Sequence, residues 1–285
     1  MSESKIIEQH TYRGELKERI EQYARKVIKS IPSNSGIKKA IIKGQIRVNG
    51  KTVRTAHRMR DGERLELYKA AGSHPEFELN IQVCFEDEEM AVVNKPAGLP
   101  THSHGLKNLI NCLTYNLQES KQEDALERPL PVHRLDQQTS GLVLITKTKK
   151  AQLTLDEGLR ESKIQKTYLA LVHGTIDEEG TIDSPIDGKD SKSSFKRLDT
   201  FKRGGRDYSL IEASPITGRT HQLRIHFSLN DHPIVGDRKY GLDEREIKGR
   251  GLMLFAQKLV FNHPTTGEMT VIEAETPKKF MKMMP

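Results

Sequence analysis

The segment His133-Arg134-Leu135-Asp136-Gln137-Gln138-Thr139-Ser140-Gly141-Leu142 sets one carboxylate between an Arg-Leu pair and a small polar turn, then runs into Leu142-Val143-Leu144-Ile145. The apolar run reads as a buried strand. A carboxylate at its mouth is a poor core residue, so Asp136 needs a partner or a task. An ionised Asp can attack as a nucleophile or take a proton. The plainer alternative is a turn or helix cap, a place that Asp favours. Three more blocks mix reactive side chains with turn residues. They are Val92-Val93-Asn94-Lys95-Pro96-Ala97-Gly98-Leu99-Pro100-Thr101-His102, Lys166-Thr167-Tyr168-Leu169-Ala170, and Thr217-Gly218-Arg219-Thr220-His221-Gln222-Leu223-Arg224-Ile225-His226. The last is followed by His232-Pro233-Ile234-Val235-Gly236-Asp237 and Lys239-Tyr240-Gly241.

In this order, the four blocks resemble the RluA-type pseudouridine synthases, whose catalytic motif reads HRLDxxTSGL. The resemblance implies that uridine in RNA is rearranged to pseudouridine. The base leaves the sugar at nitrogen, turns over and rejoins through a ring carbon. Nothing is oxidised and no group is imported, so no cofactor and no metal are expected. Asp136 is then the catalytic residue, with Arg224 as the ion-pair partner that keeps it ionised through opposite charge and bidentate hydrogen bonds. Tyr168, otherwise an ordinary strand aromatic, would stack on the uracil and offer its hydroxyl near the new bond. Leu223 and Ile225 would wall the pocket against water. Arg134 would fill the place of the flipped base, with His133 beside it on the RNA side. Thr139, Ser140 and Gly141 resemble the turn that aims Asp136, and Arg219 either meets phosphate or braces its loop. His102 and His104 form an HxH pair, but no spacing completes a metal-ligand set.

The elements that must position these residues are strand-rich. Strands are expected at 82–85, 90–93, 143–146, 167–172, 208–213, 223–227, 252–256 and 269–273. Helices are expected at 107–119, 149–161 and 220–230, the last overlapping a possible strand. The polar stretch 177–206 reads as mobile loops. The fold class is α+β, a mixed and mostly antiparallel sheet decorated by helices, with the pseudouridine synthase fold as the resemblance implies.

The N-terminal quarter is different in kind. Residues 1–72 carry 17 Lys and Arg against 8 Asp and Glu, so they are net +9 in a chain of net +7, and the remainder is net −2. A basic footprint of this sort suits a polyanion, the bland alternative being a solvated basic helix. Leu16, Ile20, Tyr23, Val27 and Ile31 fall at helical spacing and predict a helix over 14–31, stopped by Pro32. Ser35 is the expected cap of a second short helix that Gly44 ends. Asn49-Gly50 between alternating residues predicts a hairpin, and Asp61-Gly62 a turn into a strand at 64–67. Two short helices and a basic hairpin resemble the S4-type RNA-binding domain. On that likeness Lys38, Lys39, Lys43, Arg47, Lys51 and Arg54 would meet phosphates. The expected division is 1–72 for this domain, a linker at 73–80 and a catalytic domain at 81–285.

Two cysteines without a CxxC argue against a disulfide scaffold or a zinc site. No window approaches a membrane span and no signal peptide is visible, so a cytoplasmic protein and a monomer are the defaults. RNA is the expected partner, ribosomal RNA being favoured over transfer RNA, with no obligate protein partner. Two other functions fit the sequence less well. One is a non-catalytic RNA-binding or ribosome-associated protein that kept the fold. The other is a glycosidic-bond hydrolase, which commonly needs two carboxylates.

Overall fold

The computed structural model describes residues 6–14, 17–31, 33–68, 75–241 and 251–285. Two compact units divide the chain, Met1–Ser73 and His74–Pro285.

The first unit holds β1 (Ile6–Thr11), α1 (Ile20–Val27), α2 (Asn34–Ile42), β2 (Ile46–Val48), β3 (Lys51–Thr52) and β4 (Arg64–Tyr68). Its four strands form an antiparallel sheet in the order β1-β4-β2-β3. Asn49 and Gly50 both take positive φ, 50° and 76°, as a two-residue hairpin between right-twisted strands requires. Ile20, Ala24, Ile37, Ile41, Ile46 and Leu65 fill the core between helices and sheet.

Three expectations for this unit change. The first helix begins at Ile20, not at residue 14, because the preceding chain is extended: Arg19 bridges Arg58, and the Ile20 amide donates to His57 O. Leu16 and Pro32 lie outside the described residues. The cap of α2 is Ser33 rather than Ser35; its Oγ accepts from the Gly36 amide at 3.1 Å. Residues 6–11 form a strand that no local pattern announced, since its partner is β4, with Ile6 opposite Tyr68.

The second unit contains β5 (Gln82–Glu86), β6 (Met90–Lys95), α3 (Leu109–Asn116), β7 (Ala125–Pro131), β8 (Ser140–Thr148), α4 (Lys149–Arg160), β9 (Gln165–His173), β10 (Glu179–Asp183), β11 (Lys192–Arg203), β12 (Arg206–Pro215), α5 (Gln222–Leu229), β13 (Leu254–Asn262), β14 (Met269–Glu273) and α6 (Lys278–Met281). One sheet runs β10-β11-β12-β9-β13-β8-β6-β5, with β14 added on β13 and β7 on β8. Its pairs are antiparallel except β13 with β8, which are parallel. All nine residues of β8 are buried, which explains its continuous apolar run.

Residues 177–206 are only partly loops. Most of them form β10 and β11, with a connection at 184–191, and β11 pairs with β12 around Gly204-Gly205, both at positive φ. These strands lie at the sheet's end and are largely exposed, so they carry charge instead of an apolar pattern. Residues 223–227 are helix, not strand. Leu223, Ile225 and Phe227 alternate like a strand, but the intervening Arg224 and His226 are also buried, each through polar partners. Residues 75–80, read as linker, run beside α3: Phe77 N donates to Asn111 O, and Asn116 Nδ2 donates to Leu79 O.

Candidate active site

Strand register assembles the site. Lys95 of β6 lies opposite Gly141 of β8, Gly141 opposite Ala256 of β13, Ala256 opposite Tyr168 of β9, and Tyr168 opposite Ala213 of β12. Directly paired residues present their side chains on one face. The row is therefore two large polar side chains separated and flanked by small ones. Gly141 has φ +123°, and a Cβ there would lie 2.3 Å from the Ala256 carbonyl oxygen, so only glycine fits.

Asp136 sits in the turn that leads into β8. The Thr139 amide donates to Asp136 O at 3.1 Å and closes that turn. A second loop, residues 96–101, clamps it from outside. Thr101 Oγ1 donates to Leu135 O at 2.9 Å and accepts from Leu135 N at 3.1 Å, while Gly98 N donates to Gln137 O at 2.7 Å. Lys95 is wholly buried beneath both loops and donates to Leu99 O at 2.8 Å, Pro96 O at 3.1 Å and Gln137 O at 3.4 Å. Burial pushes its ammonium down to about 8, against the attraction of Asp136.

The Asp136 side chain remains 18% exposed, with Arg224 Nη1 3.2 Å from Oδ2 and His221 Nε2 3.6 Å from Oδ1. The bidentate hydrogen bonds expected between Arg224 and Asp136 go instead to Asp237: Nε to Oδ2 at 2.6 Å and Nη2 to Oδ1 at 2.8 Å. Asp237 is 1% exposed and also accepts from the amides of Lys239 and Tyr240. Burial alone would raise the Asp237 carboxyl; Arg224 and the two amides outweigh it and hold it below its ordinary range. Burial likewise opposes the Arg224 charge, and Asp237 with Asp136 more than restores it. Asp237 thus fixes the guanidinium, which gives an Nη1 N–H to Asp136. Tyr168 is 8% exposed, and burial, then the Asp136 charge, push its hydroxyl above the ordinary range, so it stays a neutral phenol.

The chain is similar to known proteins in sequence and in fold. The family model described as RNA pseudouridylate synthase matches residues 89–229. An uncharacterized RNA pseudouridine synthase of Aquifex aeolicus (strain VF5) is 36% identical over 278 residues, covering 87% of each chain. The chain belongs to the RluA-type RNA pseudouridine synthase family. Ribosomal large subunit pseudouridine synthase C of Escherichia coli (strain K12) is 32% identical over 292 residues, covering 90% of this chain and 89% of that one. The solved structure of human RNA pseudouridylate synthase domain containing 1 superposes with a TM-score of 0.59 at 28% identity, over 70% of this chain and 84% of that one. The pseudouridine synthase fold and the isomerase activity on RNA follow from this membership.

The synthase places the other expected residues unevenly. Arg134 is exposed two residues before Asp136, and Leu223 is buried beside Arg224 on α5. Arg219 is exposed, but its Nε donates to Asp190 O at 3.0 Å, so it braces the segment between β10 and β11. Thr139 is buried, and its Oγ1 has no hydrogen-bond partner among the described residues. In the first unit Lys38, Lys39, Lys43, Lys51 and Arg54 are exposed. Arg47 is half-buried; its Nε donates to Gly44 O and its guanidinium lies 4.4 Å from the Tyr68 ring centroid. Among the described residues no three His, Cys, Asp or Glu side chains converge as a metal site, and no helix is long and apolar enough to cross a membrane.

His133 does not face outward as an RNA contact would. Its Nε2 accepts the Leu144 amide at 3.2 Å and continues the β7–β8 ladder where β7 ends. Burial, then Lys166, push the imidazole from 6.5 down to about 3. Between those values the unfolded chain binds a proton that the folded chain refuses, so stability falls as pH falls through that window. One proton sets a limiting slope of about 1.4 kcal/mol per pH unit. Denaturant unfolding at pH 7 and pH 5 should show this loss, and His133→Gln, which can still accept from Leu144, should reduce it.

Missed by sequence reasoning as site residues were Asp237, His221, Tyr240, Lys95 and Thr101. All lie inside the quoted motif blocks, and for Asp237, His221, Tyr240 and Lys95 an ionisable side chain in such a block was the available signal.

Proposed function

We propose that this enzyme isomerises uridines in large-subunit ribosomal RNA, with Asp136 as the reacting carboxylate. The observation that carries the assignment is the Arg224–Asp136 contact just before β8, with Tyr168 near enough to feel the Asp136 charge. The N1–C1′ bond of uridine breaks, the C5–C1′ bond forms, and a proton leaves C5 while N1 gains one. Asp136 engages the nucleoside directly, and Arg224 compensates its charge. Tyr168 supports the uracil ring and works as a neutral hydroxyl. Leu223 keeps water from the separated base, and exposed Arg134 takes the position that the flipped base leaves.

The first unit is read as an S4-like RNA-binding domain. Lys38, Lys39, Lys43, Lys51 and Arg54 contact phosphates, and Arg47, tied to Gly44 and Tyr68, shapes the hairpin. The ribosomal target rests on similarity to ribosomal large subunit pseudouridine synthase C. Such an enzyme works in the cytoplasm.

Pseudouridine mapping of total RNA from matched cells with and without the enzyme tests the target. Particular sites should disappear from large-subunit ribosomal RNA while transfer RNA is unchanged. Losses confined to transfer RNA would overturn the ribosomal assignment.

A further inference from the structure

His221 stands at an unusual place. It is the residue before α5 and adopts a left-handed backbone, φ 57° and ψ 22°, which is costly for a residue with a Cβ. Its carbonyl still accepts the Ile225 amide and starts the helix. Its ring lies between two groups of the site. Nε2 is 3.6 Å from Asp136 Oδ1, and Nδ1 is 2.9 Å from the Tyr240 hydroxyl. Tyr240 is itself fixed: its amide donates to Asp237 Oδ1, and its carbonyl accepts from Ser228 Oγ on α5.

Donor and acceptor chemistry selects one arrangement. A carboxylate only accepts and is negatively charged, so the proton is favoured on the nitrogen that faces Asp136. A neutral ring then has a bare Nδ1, which accepts from the Tyr240 O–H. The groups around the ring are Asp136 from the turn before β8, Arg224 on α5, and Asp237, Lys239 and Tyr240 from the segment after α5. Burial, with Arg224 and Lys239, keeps the imidazole below its ordinary range against the two carboxylates, which favours the neutral form.

We propose that Tyr240 and His221 are positioning residues for the Asp136 carboxylate: the Tyr240 hydroxyl fixes the His221 tautomer, and His221 Nε2–H orients the Oδ1 oxygen that Arg224 leaves free. At 3.6 Å the contact is longer than a hydrogen bond. Oδ1 is therefore aimed by the N–H dipole without giving up a lone pair that the nucleoside needs. The proposal rests on Asp136 being the reacting group.

The test is single-turnover pseudouridine formation by the full chain on total RNA from cells lacking the enzyme. His221→Phe should slow the reaction by about 10- to 100-fold, the scale of a misaimed catalytic group, with RNA affinity unchanged. His221→Gln, whose amide N–H can face Oδ1, should recover most of that loss. Tyr240→Phe should slow the reaction less than His221→Phe. In nitrogen-15 histidine spectra of the wild-type protein, the His221 resonances should report a bare Nδ1 and a protonated Nε2, and Tyr240→Phe should mix the tautomers. A protonated Nδ1 in the wild type overturns the proposal even if every variant unfolds. So does His221→Phe at the wild-type rate, or His221→Gln as slow as His221→Phe in a folded protein. Asp136→Asn is run alongside. If it remains active, the site reading itself fails; if it is dead while His221→Phe is unimpaired, only the positioning role fails.

Discussion

Asp136→Asn is expected to abolish pseudouridine formation, lowering the single-turnover rate by more than about 10⁴-fold, the scale seen when a catalytic unit loses its reacting group. The substitution keeps the side chain's shape and removes its charge and basicity. An amide can neither attack the nucleoside nor accept its proton. The fold should survive. Arg224 keeps its bidentate pair with Asp237, and the turn into β8 is held by backbone and by Thr101, Gly98 and Lys95 rather than by the Asp136 carboxylate. RNA affinity should be unchanged or tighter, because binding rests on cations meeting phosphates and the variant removes an anion near them. Filter binding beside single-turnover chemistry on the same RNA separates the two effects. A rate within tenfold of wild type would remove Asp136 from the chemistry.

The parts of this site that are local in sequence were readable there. Asp136, its turn and β8 are one continuous segment, and the apolar run after Gly141 announces a strand buried on both faces. The Asn49-Gly50 hairpin is similarly self-contained, because both of its residues must tolerate positive φ. What was hidden depends on partners far along the chain. Strand β1 exists because β4 offers an open edge, some 60 residues away. The helix α5, expected over 220–230, also read as a strand at 223–227 because two of its polar residues are buried. His226 Nε2 meets Ser191 Oγ at 2.9 Å and Arg224 meets Asp237, and neither bond leaves a mark on hydrophobic periodicity. The same blindness misassigned the bidentate pair. Sequence can suggest that an Arg and an Asp meet, but Asp136 and Asp237 are both aspartates in motif blocks, and only the tertiary structure says which one Arg224 grips.

That distinction makes Asp237→Asn the second large effect. Arg224 is 9% exposed, so a guanidinium deprived of its main counter-charge is left nearly dry. Breaking a buried ion pair from one side typically costs about 3–5 kcal/mol, and denaturant unfolding should register a loss on that scale. Activity should fall by about 10²- to 10³-fold, the usual scale for losing one preorganised charge partner, because the guanidinium is no longer anchored to present Nη1 to Asp136. Adding Arg224→Met distinguishes the two consequences. The thioether removes the stranded charge, while the Asn carbonyl can still accept from the Lys239 and Tyr240 amides, as Asp237 Oδ1 does. The double variant should therefore be at least as stable as Asp237→Asn alone, a non-additivity of about 2–3 kcal/mol for directly bonded neighbours. Its activity should not return, since Asp136 then faces no cation from α5. Stability recovered without rate would mean that the Asp237–Arg224 pair serves Asp136 first. Rate recovered together with stability would mean that Arg224 only holds the loop after α5 in place.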